Sequence, residues 1–360
     1  MYKMIDLRAL IRKKTVDKRI VAASDDYFEG ARALGIEFEM PLDATNTTNK
    51  TECMPTHIVD GTCLTPNIVL NLRSYLVSRK GIVPKNNNAK EIVDHAIKAT
   101  GCDAESCMLA QKDVIDHISK NLGDGAVHEI TKVSKKLKPT GPKDTTAWLA
   151  NDHIDEVLKT WTEEYPDFYP YCFCMMDFAA PLDPNWPKGS IEDVKIKDLI
   201  EGKIGINGQP PRVFRRMACV LNTDVSTGRG KHWVCLFMSC PKDDQWTIEY
   251  FNSSGNPPTK EINAWVSRVL PEFNVMDQKY GPKLGTKFVY YNVQHQRSRS
   301  ECGVYCLFYI RARLNGVPVH TFNTKRVADG DMQSFRTHVF SKEDLAKVMD
   351  DIKYSWGVWC

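Results

Sequence analysis

A helical N-terminal part followed by a mixed helix-and-strand part, an α+β chain, is the fold class these 360 residues predict. Apolar residues recur at helical spacing between Thr65 and Gly123. Beyond a lysine-rich, proline-closed connector, short runs rich in Val, Tyr, Phe and Trp alternate with helical stretches. The composition, 42% hydrophobic and 26% charged, is that of an ordinary globular chain and excludes collagen-like or low-complexity character for the whole.

In order along the chain, residues 1–60 read as a polar, mixed-charge extension with a Thr/Asn-rich loop, DATNTTNKTE. Asn46-Thr47-Thr48 and Asn49-Lys50-Thr51 match a glycosylation acceptor, which an intracellular chain does not use. Pro66 sits near a helix start, with Ile68, Val69, Leu72, Tyr75 and Leu76 at helical spacing up to Gly81. Second and third helices are expected over Lys90–Thr100 and Asp103–Leu122. Thr131 to Lys143 carries Lys132, Lys135, Lys136, Lys138 and Lys143 with no acid, and closes on Pro139 and Pro142. That is a linker by composition; it reads as a solvated basic connector, with phosphate or acidic-partner binding as the functional alternative. Past it, Ile154–Tyr165 looks helical, and strands are expected over Phe214–Leu221, Trp233–Met238, Trp246–Phe251 and Phe288–Val293. Helices are expected over Lys260–Leu270, Gly303–Leu314 and Met332–Lys353.

Charge and hydropathy exclude several classes. Lys and Arg number 48 against 45 Asp and Glu, leaving +3, too little to argue for a nucleic-acid binder by net charge. No apolar stretch approaches the ~20 residues of a membrane helix; the longest candidate, Tyr171 to Leu182, is interrupted by Asp177. The N-terminus, MYKMIDLRALIRKKTVDK, lacks the apolar core of a secretory signal. A soluble intracellular chain without membrane insertion is expected.

Twelve cysteines stand out. Their density is far below that of a disulfide scaffold, and without a signal sequence reduced thiols are the default. Structural zinc is disfavoured by spacing: no Cys-x-x-Cys occurs, Cys102 and Cys107 are five apart, and Cys172 and Cys174 are two apart. No metal or cofactor is therefore expected. Most of these residues should be small buried hydrophobes, leaving one as a nucleophile.

Four positions carry the chemistry. His232 opens a strand, Asn252 ends the next, Gln296 closes a third, and Cys302 starts a helix six residues later. Neighbouring strand ends can bring His232 and Asn252 to one sheet edge, where a helix beginning at Cys302 would deliver its thiol. A thiol ionises more readily beside an imidazolium or at a helix N-terminus, and Cys302 would have both. His232 suits a general base and acid, and Asn252 suits an orienter that holds the imidazole tautomer. Gln296 and the Cys302 backbone N–H offer oxyanion donors. Gly303 would leave room for a substrate backbone. Taken singly, each has a bland reading: a core thiol, a structural histidine, a turn asparagine. Cys306, one turn on, reads as a buried thiol, and His295 as a weak rival base.

The order His, Asn, Gln, then Cys six residues on, resembles the clan of adenovirus-type and ubiquitin-like-protein-specific cysteine proteases; papain-like enzymes run the other way. Within the clan the chain is most similar to the African swine fever virus polyprotein-processing type. The blocks that carry this include Thr100–Cys107, Cys174–Phe178, Cys219–Val234, Ile248–Asn256 and His295 through Leu314. They run from roughly Thr62 to Phe340 and cover most of the chain. The resemblance implies an α+β ubiquitin-like-protease (adenain-like) core, a mixed sheet flanked by helices, preceded by a helical arm. The expected domains are an extension over 1–60, an arm over 61–142, a catalytic core over 143–345 and a tail over 346–360. It implies a cysteine endopeptidase that cuts after Gly-Gly in viral structural polyprotein precursors during virion maturation, in the host cytoplasm at assembly sites and in the virion. Gly-Gly selectivity needs a slot too narrow for side chains, and Trp233, beside the base, is the expected roof. The sequence itself holds no Gly-Gly dipeptide, so it carries no self-cleavage site of that kind. The alternatives are a deubiquitinating or deSUMOylating isopeptidase, since such modifiers also end in Gly-Gly, and a binding module on the protease scaffold. The Lys132–Lys143 cluster is a candidate nucleic-acid contact.

Overall fold

In a computed structural model of the chain, the structure describes residues 52–54, 57–86, 88–142, 144, 146–178, 191, 194–324, 326–341 and 345–355. The expected N-terminal extension lies almost wholly outside them. The arm begins with α1 (Pro66–Tyr75), whose N-terminus Thr65 caps by accepting from the Ile68 N–H. One wider π-type turn, Leu76–Lys80, extends it to Gly81, where a left-handed φ of 67° ends the helix. Next come α2 (Ala89–Thr100), α3 (Glu105–Leu109), α4 (Lys112–Leu122) and α5 (Gly125–Ser134). The single third helix expected over 103–122 is thus two helices, parted at Ala110–Gln111. The start of the expected linker is also helical: Glu129, Ile130 and Val133 of α5 are buried, and Glu129 holds Lys132 at 3.0 Å.

The cysteines of the arm correct the expectation of reduced thiols throughout. Cys53 is joined to Cys63 and Cys102 to Cys107. The first pair closes because Asp60 and Gly61 adopt left-handed φ, and the Val59–Thr62 bridge folds the chain back on itself. The second spans the corner between α2 and α3, after the left-handed Gly101. Around the first pair, Glu105 accepts from the Thr62 hydroxyl at 2.6 Å, and Glu52 accepts from the backbone and hydroxyl of Ser106. Both carboxylates are buried and hydrogen-bonded, as burial of a charge requires.

After α6 (Asn151–Glu164), two short strands, β1 (Phe168–Pro170) and β2 (Cys174–Met175), and the short helix α7 (Ile196–Ile200) lead into the sheet. Its main strands are β3 (Arg216–Asn222), β4 (Trp233–Ser239), β5 (Trp246–Phe251) and β6 (Thr286–Tyr290). The order is β1-β3-β4-β5-β6, with β2 also beside β3. β1, β2 and β6 pair in parallel, and β3–β4 and β4–β5 antiparallel. This is the mixed sheet that was expected. Strand side chains alternate between two cores, as a two-sided sheet requires. Ala218, Val220, Cys235 and Phe237 face α6 and the central helix α9 (Cys302–Leu314). Met217, Cys219, Leu221, Leu236 and Met238 face the long helix α8 (Lys260–Tyr280). That helix was expected to stop before Pro271. It runs on because Phe273 and Met276 are buried beyond the proline, offsetting its one lost hydrogen bond.

Two further helices correct the sequence reading. The segment expected as one helix over 332–353 is α11 (Asp329–Val339) and α12 (Leu345–Ser355), following the short α10 (Thr321–Thr324). Residues expected as a tail thus begin in α12, whose Met349 and Ile352 are buried in the arm's core rather than lying free. The connector and the core also meet at the Thr140–Ser341 bridge and at Lys138, which donates to the Thr337 carbonyl. Lys138 is partly buried there, and desolvation pushes it down to about 8. Among the described residues no helix is long and apolar enough to cross a membrane.

Candidate active site

β5 ends at Phe251, and the chain turns at once through Asn252-Ser253-Ser254. Asn252 is buried, and its amide is fully engaged: Nδ2 donates to the Asn256 carbonyl at 3.2 Å and lies 3.0 Å from the Tyr250 hydroxyl. Oδ1 accepts from the Ser254 backbone N–H and hydroxyl. That leaves Oδ1 facing His232 Nε2 at 2.8 Å. A carbonyl oxygen only accepts, so Nε2 carries the proton and the Nδ1 lone pair is left as the base.

Cys302 is the first residue of α9. The helix is held by the sheet through a buried network in which Arg313 donates to Glu249 of β5 at 2.7 and 2.8 Å, and the Tyr309 hydroxyl donates to the same carboxylate at 2.7 Å. The sulfur lies at the start of β4: the backbone N–H groups of Trp233 and Gly303 point to it and favour the thiolate. Burial acts the other way and dominates, pushing the thiol up to about 11. The sequence-based expectation of a lowered thiol pKa is corrected accordingly. Only 1% of Cys302 is exposed, and desolvation of a thiolate outweighs the N–H dipoles of Trp233, Gly303 and Cys302 itself.

Gln296 reaches the same place by a separate route. Beyond β6 the chain returns to the end of β5, and the N–H groups of His295 and Gln296 both donate to the Ser253 carbonyl at 2.9 Å. The Gln296 side chain accepts from the Ser253 hydroxyl at 2.7 Å and donates to the Ser298 carbonyl at 3.0 Å. Asp329 of α11 holds this loop by accepting from the Arg297 and Ser298 N–H groups. The structure thus brings His232 and Asn252 into hydrogen-bond contact, ties Gln296 to the residue after Asn252, and sets Cys302 against the residue after His232.

Gly303 is placed differently from expectation. A Cβ on Gly303 would stand 3.1 Å from Leu149 Cβ and 3.2 Å from Trp233 Cδ1. The space expected for a substrate backbone at Gly303 is occupied by this chain's own side chains. Glycine is required there for packing. Trp233 is buried, its indole N–H donates to the Leu149 carbonyl at 3.0 Å, and Phe173 packs edge-on at 6.2 Å. Leu149 and Phe173 were missed from the sequence, since each is brought in from a loop far away along the chain. His295 is settled as structural: it is 2% exposed, accepts from the Val327 N–H, and is pushed down to about 4 by burial.

Comparison with known proteins identifies the family and the fold. The Ulp1 protease family, C-terminal catalytic domain, matches residues 218–348, a span that includes all four positions. The chain is 33% identical over 299 residues to a SUMO-1 cysteine protease of African swine fever virus, covering 82% of this chain and 96% of that protein. The crystal structure of the African swine fever virus protease superposes with a TM-score of 0.62 at 32% identity, over 82% of this chain and 97% of the other.

Proposed function

The chain belongs to the family of Ulp1-like cysteine proteases that includes the African swine fever virus enzyme, and from that premise we propose that it is an endopeptidase cutting after Gly-Gly in viral structural polyproteins during virion maturation. The observation that carries the catalytic assignment is the Asn252–His232 bond of 2.8 Å, which commits Nε2 and leaves Nδ1 as the base. In this reading Cys302 is the nucleophile. At neutral pH it rests as the thiol. His232 Nδ1 takes its proton as the sulfur attacks the scissile carbonyl, then returns it to the leaving amine as the C–N bond breaks. Water, deprotonated by the same imidazole, releases the acid and restores the thiol. Asn252 holds the ring through both transfers. Gln296 Nε2 and the Cys302 N–H stabilise the oxyanion, each such donor being worth about 10²–10³ in turnover.

Gly-Gly selectivity would need a slot too narrow for side chains, and it is checked by comparing cleavage of Gly-Gly-Xaa with Gly-Ala-Xaa and Ala-Gly-Xaa peptides. Cys302→Ala should abolish cleavage of a Gly-Gly-Xaa peptide in a protein that keeps its melting profile; an active variant would sink the assignment. The name of the viral relative, a SUMO-1 cysteine protease, favours a second reading, a deconjugating isopeptidase. Ubiquitin-like probes run against precursor peptides separate the two. We take the place of action to be assembly sites in the host cytoplasm and the virion, to be checked by fractionation of infected cells. Nucleic-acid contact through the connector would rest on Lys135 and Lys136, because Lys132 and Lys138 are engaged; a flat salt titration would dismiss it.

A further inference from the structure

We infer that Ser253 is a positioning residue for the oxyanion donor, setting which end of the Gln296 amide faces the reacting carbonyl. The inference rests on the proposed role of Gln296 and goes beyond it. An amide side chain presents a donor at one end and an acceptor at the other, and a 180° flip exchanges them with little change of shape. Only one orientation helps here: Nε2 toward the developing negative charge stabilises it, and Oε1 there repels it.

Two contacts decide the matter. The Ser298 carbonyl, 3.0 Å away, can only accept, so it requires Nε2 on its side. The Ser253 hydroxyl, 2.7 Å from Oε1, is the one donor among the described residues that meets the other end. Nε2 has two hydrogens, and Ser298 takes one; the second is left for the substrate. Ser253 is fully buried and Gln296 is 8% exposed, so water is not at hand to replace the hydroxyl. Ser253 is itself rigid: its carbonyl accepts from both the His295 and Gln296 N–H groups at 2.9 Å. The Ser298 carbonyl is in turn fixed by Asp329, which accepts from the Ser298 N–H at 3.1 Å. Without the Ser253 hydroxyl, Oε1 is a buried acceptor with no donor, and the amide loses what penalises the inverted state on that side.

The test compares Ser253→Ala, Gln296→Ala and the double variant on a Gly-Gly-Xaa peptide, with the rate of iodoacetamide capture at Cys302 read by mass spectrometry. Alkylation needs the thiol and His232 but no oxyanion donor. Ser253→Ala should lower kcat about tenfold, a fraction of the loss for a whole donor, with KM within twofold and alkylation unchanged. On the Gln296→Ala background it should cost nothing further, because the amide it orients is gone. Ser253→Cys, near-isosteric with a weaker donor, should fall between. Full losses that multiply in the double variant, or an alkylation rate that falls with kcat, overturn the inference, the latter by showing action through Asn252 and His232. Unchanged kcat in Ser253→Ala with an impaired Gln296→Ala also overturns it. An undiminished Gln296→Ala overturns the oxyanion assignment itself.

Discussion

Arg336→Met tests how the residue before the nucleophile is held. Glu301 precedes Cys302, its side chain 1% exposed, and Arg336 of α11 is 4% exposed. Arg336 donates to one Glu301 oxygen through Nη2 at 3.0 Å and Nε at 3.3 Å, and Ser300 lies 3.3 Å from the other. Removing the guanidinium strands a carboxylate where water does not reach. Breaking such a buried pair from one side costs about 3–5 kcal/mol. The lower half of that range is expected here, since Arg336 Nη1 is already without a partner and its desolvation is relieved by the change. Urea unfolding followed by tryptophan fluorescence gives the difference, provided the slope with denaturant stays constant. The companion Glu301→Leu/Arg336→Met should recover most of the loss, because removing both charges leaves neither unpaired. Glu301 provides no side-chain cap to α9, so the double change forfeits no cap. A loss under about 1 kcal/mol in Arg336→Met, or a double variant as weak as the single, would refute the reasoning.

Other expectations follow from the same geometry. Gly303→Ala should destabilise by about 1–3 kcal/mol through overpacking against Leu149 and Trp233, and should cut turnover more than any other single-methyl addition in α9; unfolding and peptide cleavage check both. With Cys302 held up at about 11, its alkylation rate should still be rising between pH 7 and 10, and a plateau reached near pH 5 would show a resting ion pair instead. His295, pushed from 6.5 down to about 4, is neutral when folded. The unfolded chain then binds the extra proton between those values, so stability is present above pH 6.5 and falls by about 3 kcal/mol towards pH 4. Replacing His295 with Asn should remove that part of the slope in urea titrations. Reducing Cys53–Cys63, which spans ten residues, should cost the arm about 3 kcal/mol by the loop-entropy relation, measured as dithiothreitol-dependent unfolding.

The residues of the candidate site were legible because the chemistry depends on residue type and local position. His232 at a strand start, Asn252 at a strand end and Cys302 at a helix start are all read from local pattern, and β3, β4 and β5 lie within two residues of expectation. β6 starts two residues before its expected place, because Asn274 and Asp277 at the end of α8 accept from the N–H groups of Thr286 and Gly285. Those bonds join positions 8 to 12 residues apart, and no hydrophobic periodicity reports them. The disulfides escaped for a similar reason: Cys53 and Cys63 meet only because a left-handed turn reverses the chain between them.

What the sequence determined by itself is a helical N-terminal region followed by an α+β part, and a candidate set of groups to attack, transfer a proton and stabilise an oxyanion. Periodicity and side-chain chemistry are local properties, carried by each segment wherever it ends up. What only the tertiary structure decided is how those groups are poised. It set the tautomer of His232 through Asn252, and the crowding of Gly303 by Leu149 from another element. It also decided the burial of Cys302, which raises a thiol that helix and histidine alone would lower. Desolvation and orientation depend on every neighbour at once, and neighbours are assigned only when the chain has packed.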